Sequence, residues 1–112
     1  MPANLYLGLI SGTSADGIDA ALVEFDDAND ARSTARLVFG RTYPWQPELR
    51  AQLVELGQHA ARVSLDTIAE LDVRIGRAFA DAALGALVDS GTAAADVAAI
   101  GSHGQTLRHR PD

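Results

Sequence analysis

Short apolar runs broken by polar, glycine-bearing turns occupy the first 43 residues, and helical spacing takes over after them. Leu5–Ile10 and Ile18–Phe25 are two such runs, flanking a polar turn of Ser11, Gly12, Thr13, Ser14, Ala15, Asp16 and Gly17. Runs of this length bounded by Gly and Ser predict two strands joined in a hairpin. Asp26–Thr34 is a polar loop without a core signal. A third strand is predicted over Ala35–Tyr43. Leu37, Phe39 and Tyr43 share one face there and Arg41 interrupts it, which predicts an edge strand. Pro44-Trp45-Gln46-Pro47 breaks the strand. Pro47 suits the first turn of a helix, and Glu48 suits its positive end. Leu49, Leu53, Leu56 and Ala60 then make a short amphipathic stripe, with Gly57 weakening its end.

A second helix is predicted from the N-cap Ser64 to Gly91, with Asp66 in its first turn. Ile68, Leu71, Ile75, Phe79, Ala82 and Ala86 form its buried stripe, and it would be about 39 Å long. Glu70 with Arg74 and Arg77 with Asp81 are i,i+4 pairs on its wet side. The inner glycines Gly76 and Gly85 disfavour a helix, so a close backbone approach is expected at both. Asp96–Gly101 predicts a short buried strand that runs into Ser102-His103-Gly104-Gln105-Thr106. The fold class is therefore α/β: a three-stranded antiparallel meander, two helices, and a fourth strand parallel to the first. Residues 1–112 read as a single unit with no repeat and no interdomain linker.

Composition narrows the function classes. The hydrophobic fraction of 47% is ordinary for a globular core. The net charge is −6, and all nine basic residues are arginine. An acidic chain with scattered arginines argues against nucleic acid and against an anionic membrane surface. The absence of cysteine excludes disulfides and thiolate metal sites. No apolar stretch has signal or transmembrane length, so a soluble, cytoplasmic protein is expected.

The first turn carries the candidate chemistry. It holds three hydroxyls and two glycines, with Asp16 inside it and Asp19 just after. Glycines let backbone N–H groups face one point, and hydroxyls add donors, which is how a phosphate is cradled. Ser, Gly and Asp also dominate ordinary hairpin loops, and Asp16 suits an Asx turn as well as a ligand site. Without lysine, a GxxxxGKS loop is ruled out. Two carboxylates beside a phosphate repel it unless a cation intervenes, and Mg²⁺ suits one or two carboxylates plus phosphate oxygens. The topology brings this turn and the Ser102–Thr106 segment to one sheet edge, where ligands bind outside the carboxyl ends of parallel strands. His103 suits either a ligand contact or a strand-end hydrogen bond. Trp45 suits a packing plug or a sugar face. His59, His109, Arg108 and Arg110 read as solvated. A hydrolase built from Ser11 or Ser14 with His103 and Asp16 lacks a G-x-S-x-G elbow.

Gly8–Phe25, GLISGTSADGIDAALVEF, resembles the opening signature of the anhydro-N-acetylmuramic acid kinases, in which S-G-T-S-x-D-G-x-D matches Ser11–Asp19. Ile100–Pro111, IGSHGQTLRHRP, resembles that family's second signature, and Glu70–Ala82 is similar to its long helix. Ile10 stands where methionine is usual in the family.

The resemblance implies a partial ribonuclease-H-like (actin-like ATPase) domain, the beginning of a two-domain architecture whose remainder is absent from this chain. It implies ATP and Mg²⁺ as cofactors. Gly12, Thr13, Ser14, Ala15, Asp16, Gly17, Ile18 and Asp19 match the ATP-phosphate segment, with Asp16 and Asp19 acting on the metal through water. Ser102, His103, Gln105 and Thr106 would lie near the sugar or the phosphates. The implied reaction is hydrolytic opening of 1,6-anhydro-N-acetylmuramic acid with phosphorylation at O6, in peptidoglycan recycling. The aspartate that activates water would lie downstream, so no catalytic residue is expected here. The alternative is an inactive fragment that associates with the missing portion, or with a second copy, through exposed apolar surface.

Overall fold

A computed structural model describes residues 4–25, 34–59 and 62–108. The expected polar loop at 26–33, the stripe residue Ala60, and His109 and Arg110 lie outside them. The four strands are β1 (Leu5–Ser11), β2 (Ile18–Phe25), β3 (Ala35–Tyr43) and β4 (Val97–Gln105). The helices are α1 (Pro47–Gln58) and α2 (Leu65–Ser90), and a single 3₁₀ turn at Ala94–Asp96 precedes β4. The sheet order is β3-β2-β1-β4. β1–β2 and β2–β3 are antiparallel and β1–β4 is parallel, as the pattern predicts.

Strand alternation decides which residues face the helices. Leu7, Leu9 and Ser11 of β1 and Ile18, Ala20 and Leu22 of β2 are buried. They form one core with Leu49 and Leu53 of α1 and Leu71, Phe79, Ala82, Ala83 and Ala86 of α2. Both helices therefore cover the same face. The opposite face is bare: Tyr6, Ile10 and Phe25 are exposed, with Tyr6 and Phe25 in edge-to-face contact at 5.3 Å. One covered face gives an elongated body with a radius of gyration of 16.4 Å, against about 13 Å for a compact domain of similar length.

Four local expectations change. A register shift between Leu22 and Val23 pairs Leu22 with Phe39 but Val23 with Leu37. This bulge sends Leu37 to the bare face, away from Phe39 and Tyr43, which pack on the core. β4 starts at Val97, continues through Gln105 and is largely exposed rather than buried, because it lies at a sheet edge and little of it beyond Val97 packs on the core. The expected Glu70–Arg74 and Arg77–Asp81 pairs do not form, and Arg74 instead donates to Gln52 Oε1 across the helix pair at 3.1 Å. A Cβ at Gly76 would meet open space, whereas one at Gly85 would lie 3.0 Å from the Tyr43 ring, so only Gly85 serves a close approach.

The helix ends follow the sequence. Ser64 Oγ accepts from the Thr67 amide, and Gly91 closes α2 in the left-handed region at φ 68°. Tyr43 ties β3 to α2. Its hydroxyl donates to Asp89 Oδ2 at 2.7 Å, and Arg41 donates to the same oxygen at 2.9 Å. Desolvation first, then the hydrogen bond to Asp89 and its negative charge, raise the Tyr43 pKa above its ordinary 10.0. Folded Tyr43 keeps its proton where the unfolded chain has begun to lose it. The folded state then binds more protons, and stability falls as pH rises above 10.0 toward the folded pKa. Thermal melts in this alkaline range should show a shallower fall for Tyr43→Phe than for the wild type; an identical slope would place its source elsewhere.

Candidate phosphate-binding site

The turn between β1 and β2 is mounted at several points. At its root, Ser11 is fully buried and its Oγ accepts from Trp45 Nε1 at 3.2 Å. Trp45 is itself buried against Phe79, with ring centroids 5.9 Å apart, so it is a packing residue and offers no face to a sugar. The bend is closed by the Ala15 amide donating to the Gly12 carbonyl at 3.0 Å. Among the described residues, this is the only loop-type backbone bond donated from within residues 12–17. The other amides of the turn are not consumed by it.

The sequence suggests that glycine makes the bend, but Ala15 does. Its φ is 51°, while neither Gly12 nor Gly17 adopts positive φ. An alanine there costs about 1–2 kcal/mol of conformational strain, and it is held because its methyl is buried and its carbonyl is bonded. Arg50 Nε donates to Ala15 O at 2.9 Å, and Arg50 Nη2 meets Asp16 Oδ1 at 3.3 Å. Gly17 serves close packing instead. A Cβ there would collide with the Thr42 methyl and lie 3.2 Å from Tyr43 O. Gly17→Ala should therefore lose about 1–3 kcal/mol in urea unfolding; full stability would show that the turn yields easily.

The two carboxylates differ in availability. Asp16 Oδ2 accepts from Ser14 Oγ at 2.9 Å, so both of its oxygens are engaged. Asp19 Oδ1 accepts from Thr42 Oγ1 at 2.5 Å, and its Oδ2 has no partner among the described residues. No group of three or more His, Asp or Glu residues able to hold a metal occurs among the described residues. A metal here would have to be shared with a ligand's oxygens. Ile18 is a core residue, so only its backbone is available to a ligand.

β4 reaches the turn through one side chain. Leu9 pairs with Ser102 and Ser11 with Gln105, so β4 carries an extra residue there, and Gly104 takes it up at φ 78°. Gln105 Nε2 then donates to Gly12 O and to Thr106 O, both at 3.0 Å. Its buried Oε1 has no partner among the described residues. Thr106 follows directly and is half-buried. Ser102 and His103 are exposed strand residues whose side chains make no hydrogen bond to the turn among the described residues. His59 pairs with Glu55 at 3.1 Å on the surface, and Arg108 is exposed.

One more feature was not signalled by the sequence: Thr42 of β3, Trp45 of the β3–α1 connection and Arg50 of α1 bond to Asp19, Ser11 and Ala15–Asp16, and so brace the turn and its two flanks. Arg50 sits on a helix as any solvated arginine would, and nothing in its spacing marks it. Gly57 also has a role beyond weakening α1. A Cβ there would lie 3.8 Å from Leu107 O and 4.0 Å from Thr13 O, so the end of α1 runs close beneath both segments of the site.

A mixed four-stranded sheet in the order β3-β2-β1-β4 with two helices on one face is the α/β arrangement of a partial actin-like ATPase-type domain. The family model described as anhydro-N-acetylmuramic acid kinase matches residues 4–112. A relative of that name from Xanthomonas campestris pv. campestris (strain 8004) is 57% identical over 107 residues, covering 96% of this chain and 28% of the relative. One from Xylella fastidiosa (strain Temecula1) is 50% identical over 110 residues, covering 98% of this chain and 28% of the relative. One from Vibrio vulnificus (strain YJ016) is 44% identical over 108 residues. The chain belongs to the anhydro-N-acetylmuramic acid kinase family and spans 28% of the length of these relatives. No helix among the described residues is long and apolar enough to cross a membrane.

Proposed function

We propose that this chain is the nucleotide-phosphate-holding part of a kinase that opens 1,6-anhydro-N-acetylmuramic acid with water and phosphorylates it at O6, in the cytoplasmic recycling of peptidoglycan. The observation that carries this reading is the turn at 12–17, a bend closed by a single internal amide bond that leaves its other amides unspent. Gly12 adds to it, since a Cβ there would meet no atom within 4 Å, which leaves room for a ligand against its backbone. ATP, when bound, supplies the phosphoryl group. The amides of Gly12, Thr13, Ser14, Asp16 and Gly17 and the hydroxyl of Thr13 would hold phosphate oxygens; the Ala15 amide is spent on the Gly12 carbonyl, and the Ser14 hydroxyl would have to leave Asp16 Oδ2 to join them. Asp19, whose Oδ2 has no partner among the described residues, and Asp16 would orient water on Mg²⁺. Phosphoryl transfer depends mainly on positioning and charge stabilisation, so such a turn is a large part of the machinery. Ser102, His103, Gln105 and Thr106 would lie near the sugar or the phosphates, and Gln105 Oε1, buried and without a partner among the described residues, is an acceptor left over at this end of β4.

Neither Asp16 nor Asp19 is assigned as the base that activates water. Both are tied to neighbouring side chains at the turn, and that base is assigned to polypeptide beyond this chain. The bare sheet face around Tyr6, Ile10 and Phe25 supports the accompanying reading that the isolated chain is inactive and associates through this surface with the remaining portion. Incubating the chain with Mg²⁺–ATP and the anhydro sugar should release no ADP. Adding the downstream polypeptide of the Xanthomonas relative should restore turnover. Turnover by the 112 residues alone would overturn the placement of the base. Failure of the mixture to turn over, with both parts folded and associated, would count against the kinase reading.

A further inference from the structure

We infer that Arg50 is a positioning residue for the phosphate-binding turn, setting the direction of the Ala15–Asp16 peptide so that the Asp16 amide points to the ligand. The inference rests on the reading of residues 12–17 as a phosphate holder. The geometry is direct. A trans peptide is planar, so its carbonyl and its N–H point to opposite sides. Arg50 Nε draws the Ala15 carbonyl toward α1 at 2.9 Å. The N–H of the same peptide, which belongs to Asp16, must then point away from α1. The second arm of the guanidinium meets the Asp16 carboxylate at 3.3 Å. One rigid fork therefore holds two consecutive residues, at the one place in the turn where a non-glycine residue has positive φ.

Electrostatics points the same way. The chain contains no lysine, and the turn carries Asp16 with Asp19 beside it. Arg50 is the cation bonded to this turn among the described residues, and it offsets one of the two negative charges that a phosphate would meet. Its own backbone is fixed in the first turn of α1, where its amide donates to Gln46 O at 2.9 Å between the buried side chains of Leu49 and Leu53. Lysine would keep the charge but lacks the planar fork that can donate to a carbonyl and a carboxylate together.

Three proteins test the inference: the wild-type chain, Arg50→Gln and Arg50→Lys. Backbone amide resonances are recorded without ligand, and affinities for Mg²⁺–ATP and for magnesium tripolyphosphate are measured by calorimetry. Core methyl resonances confirm the fold in each. Arg50→Gln should shift the Asp16 and Gly17 amide resonances and weaken both ligands by about tenfold or more, the scale of a lost hydrogen bond from a charged group. Arg50→Lys should also shift those amides and recover only part of the affinity. Unshifted amides in Arg50→Gln, or an Arg50→Lys protein that matches the wild type in both measurements, would overturn the inference. If the wild type binds neither ligand, the phosphate reading falls and takes the ligand role of Arg50 with it. If the wild type binds both and Arg50→Gln binds equally well, the inference about Arg50 alone falls.

Discussion

Replacing Trp45 with alanine is expected to lower the unfolding free energy by about 3–5 kcal/mol, the usual cost of removing a large buried aromatic ring. Trp45 is 5% exposed and packs on Phe79. Its indole N–H also satisfies Ser11 Oγ, which lies on the helix-covered face of β1 with no solvent exposure. The loss would be a large share of the roughly 5–15 kcal/mol that holds a typical domain together. Trp45→Phe separates the two contributions. It keeps most of the ring but leaves the Ser11 hydroxyl buried and unpaired, which costs about 1–3 kcal/mol. Urea unfolding of the three proteins measures both quantities. Equal stability of Trp45→Phe and wild type would mean that the Ser11 hydroxyl finds another partner.

The second large effect is on binding. Gly12→Ala should leave the fold intact, because the added Cβ meets no atom within 4 Å. It should weaken Mg²⁺–ATP by about tenfold or more if that open space is where a phosphate sits against the backbone, a loss of about 1.4 kcal/mol. Calorimetric titration together with a melting curve separates the two readouts. Gly17→Ala makes the contrast: its Cβ collides with Thr42, so stability suffers directly. An unaltered affinity in Gly12→Ala would remove the space above Gly12 from the phosphate site and weaken the proposed function.

The long elements were legible because each carries a local signal. Ser64 caps α2, Gly91 ends it, and the spacing of Leu71, Phe79, Ala82 and Ala86 marks its inner face. β2 and β3 begin and end where their apolar runs and breaks place them. The exceptions are set by long-range pairing. The bulge that turns Leu37 to the bare face depends on the register against β2, which a single strand cannot declare. The extension of β4 to Gln105 depends on its pairing with β1, and its exposure depends on which helices cover it. Arg74 leaves its i,i+4 partner because Gln52 on the other helix offers an acceptor that only helix packing brings near.

The candidate site divides along the same line. Its residue types could be read in order along the chain, since Ser11 to Asp19 are contiguous and their donors, glycines and carboxylates suggest phosphate and magnesium whatever the fold. How the turn is held could not be read. Trp45, Arg50 and Gln105 lie 34, 35 and 93 residues away from the groups they bond, and only the stacking of α1 beneath the sheet edge and the parallel pairing of β4 bring them together. The left-handed residue at Ala15 is likewise a tertiary outcome. Local preference would assign that bend to a glycine, and burial of the Ala15 methyl with the Arg50 bond to its carbonyl outweighs that preference.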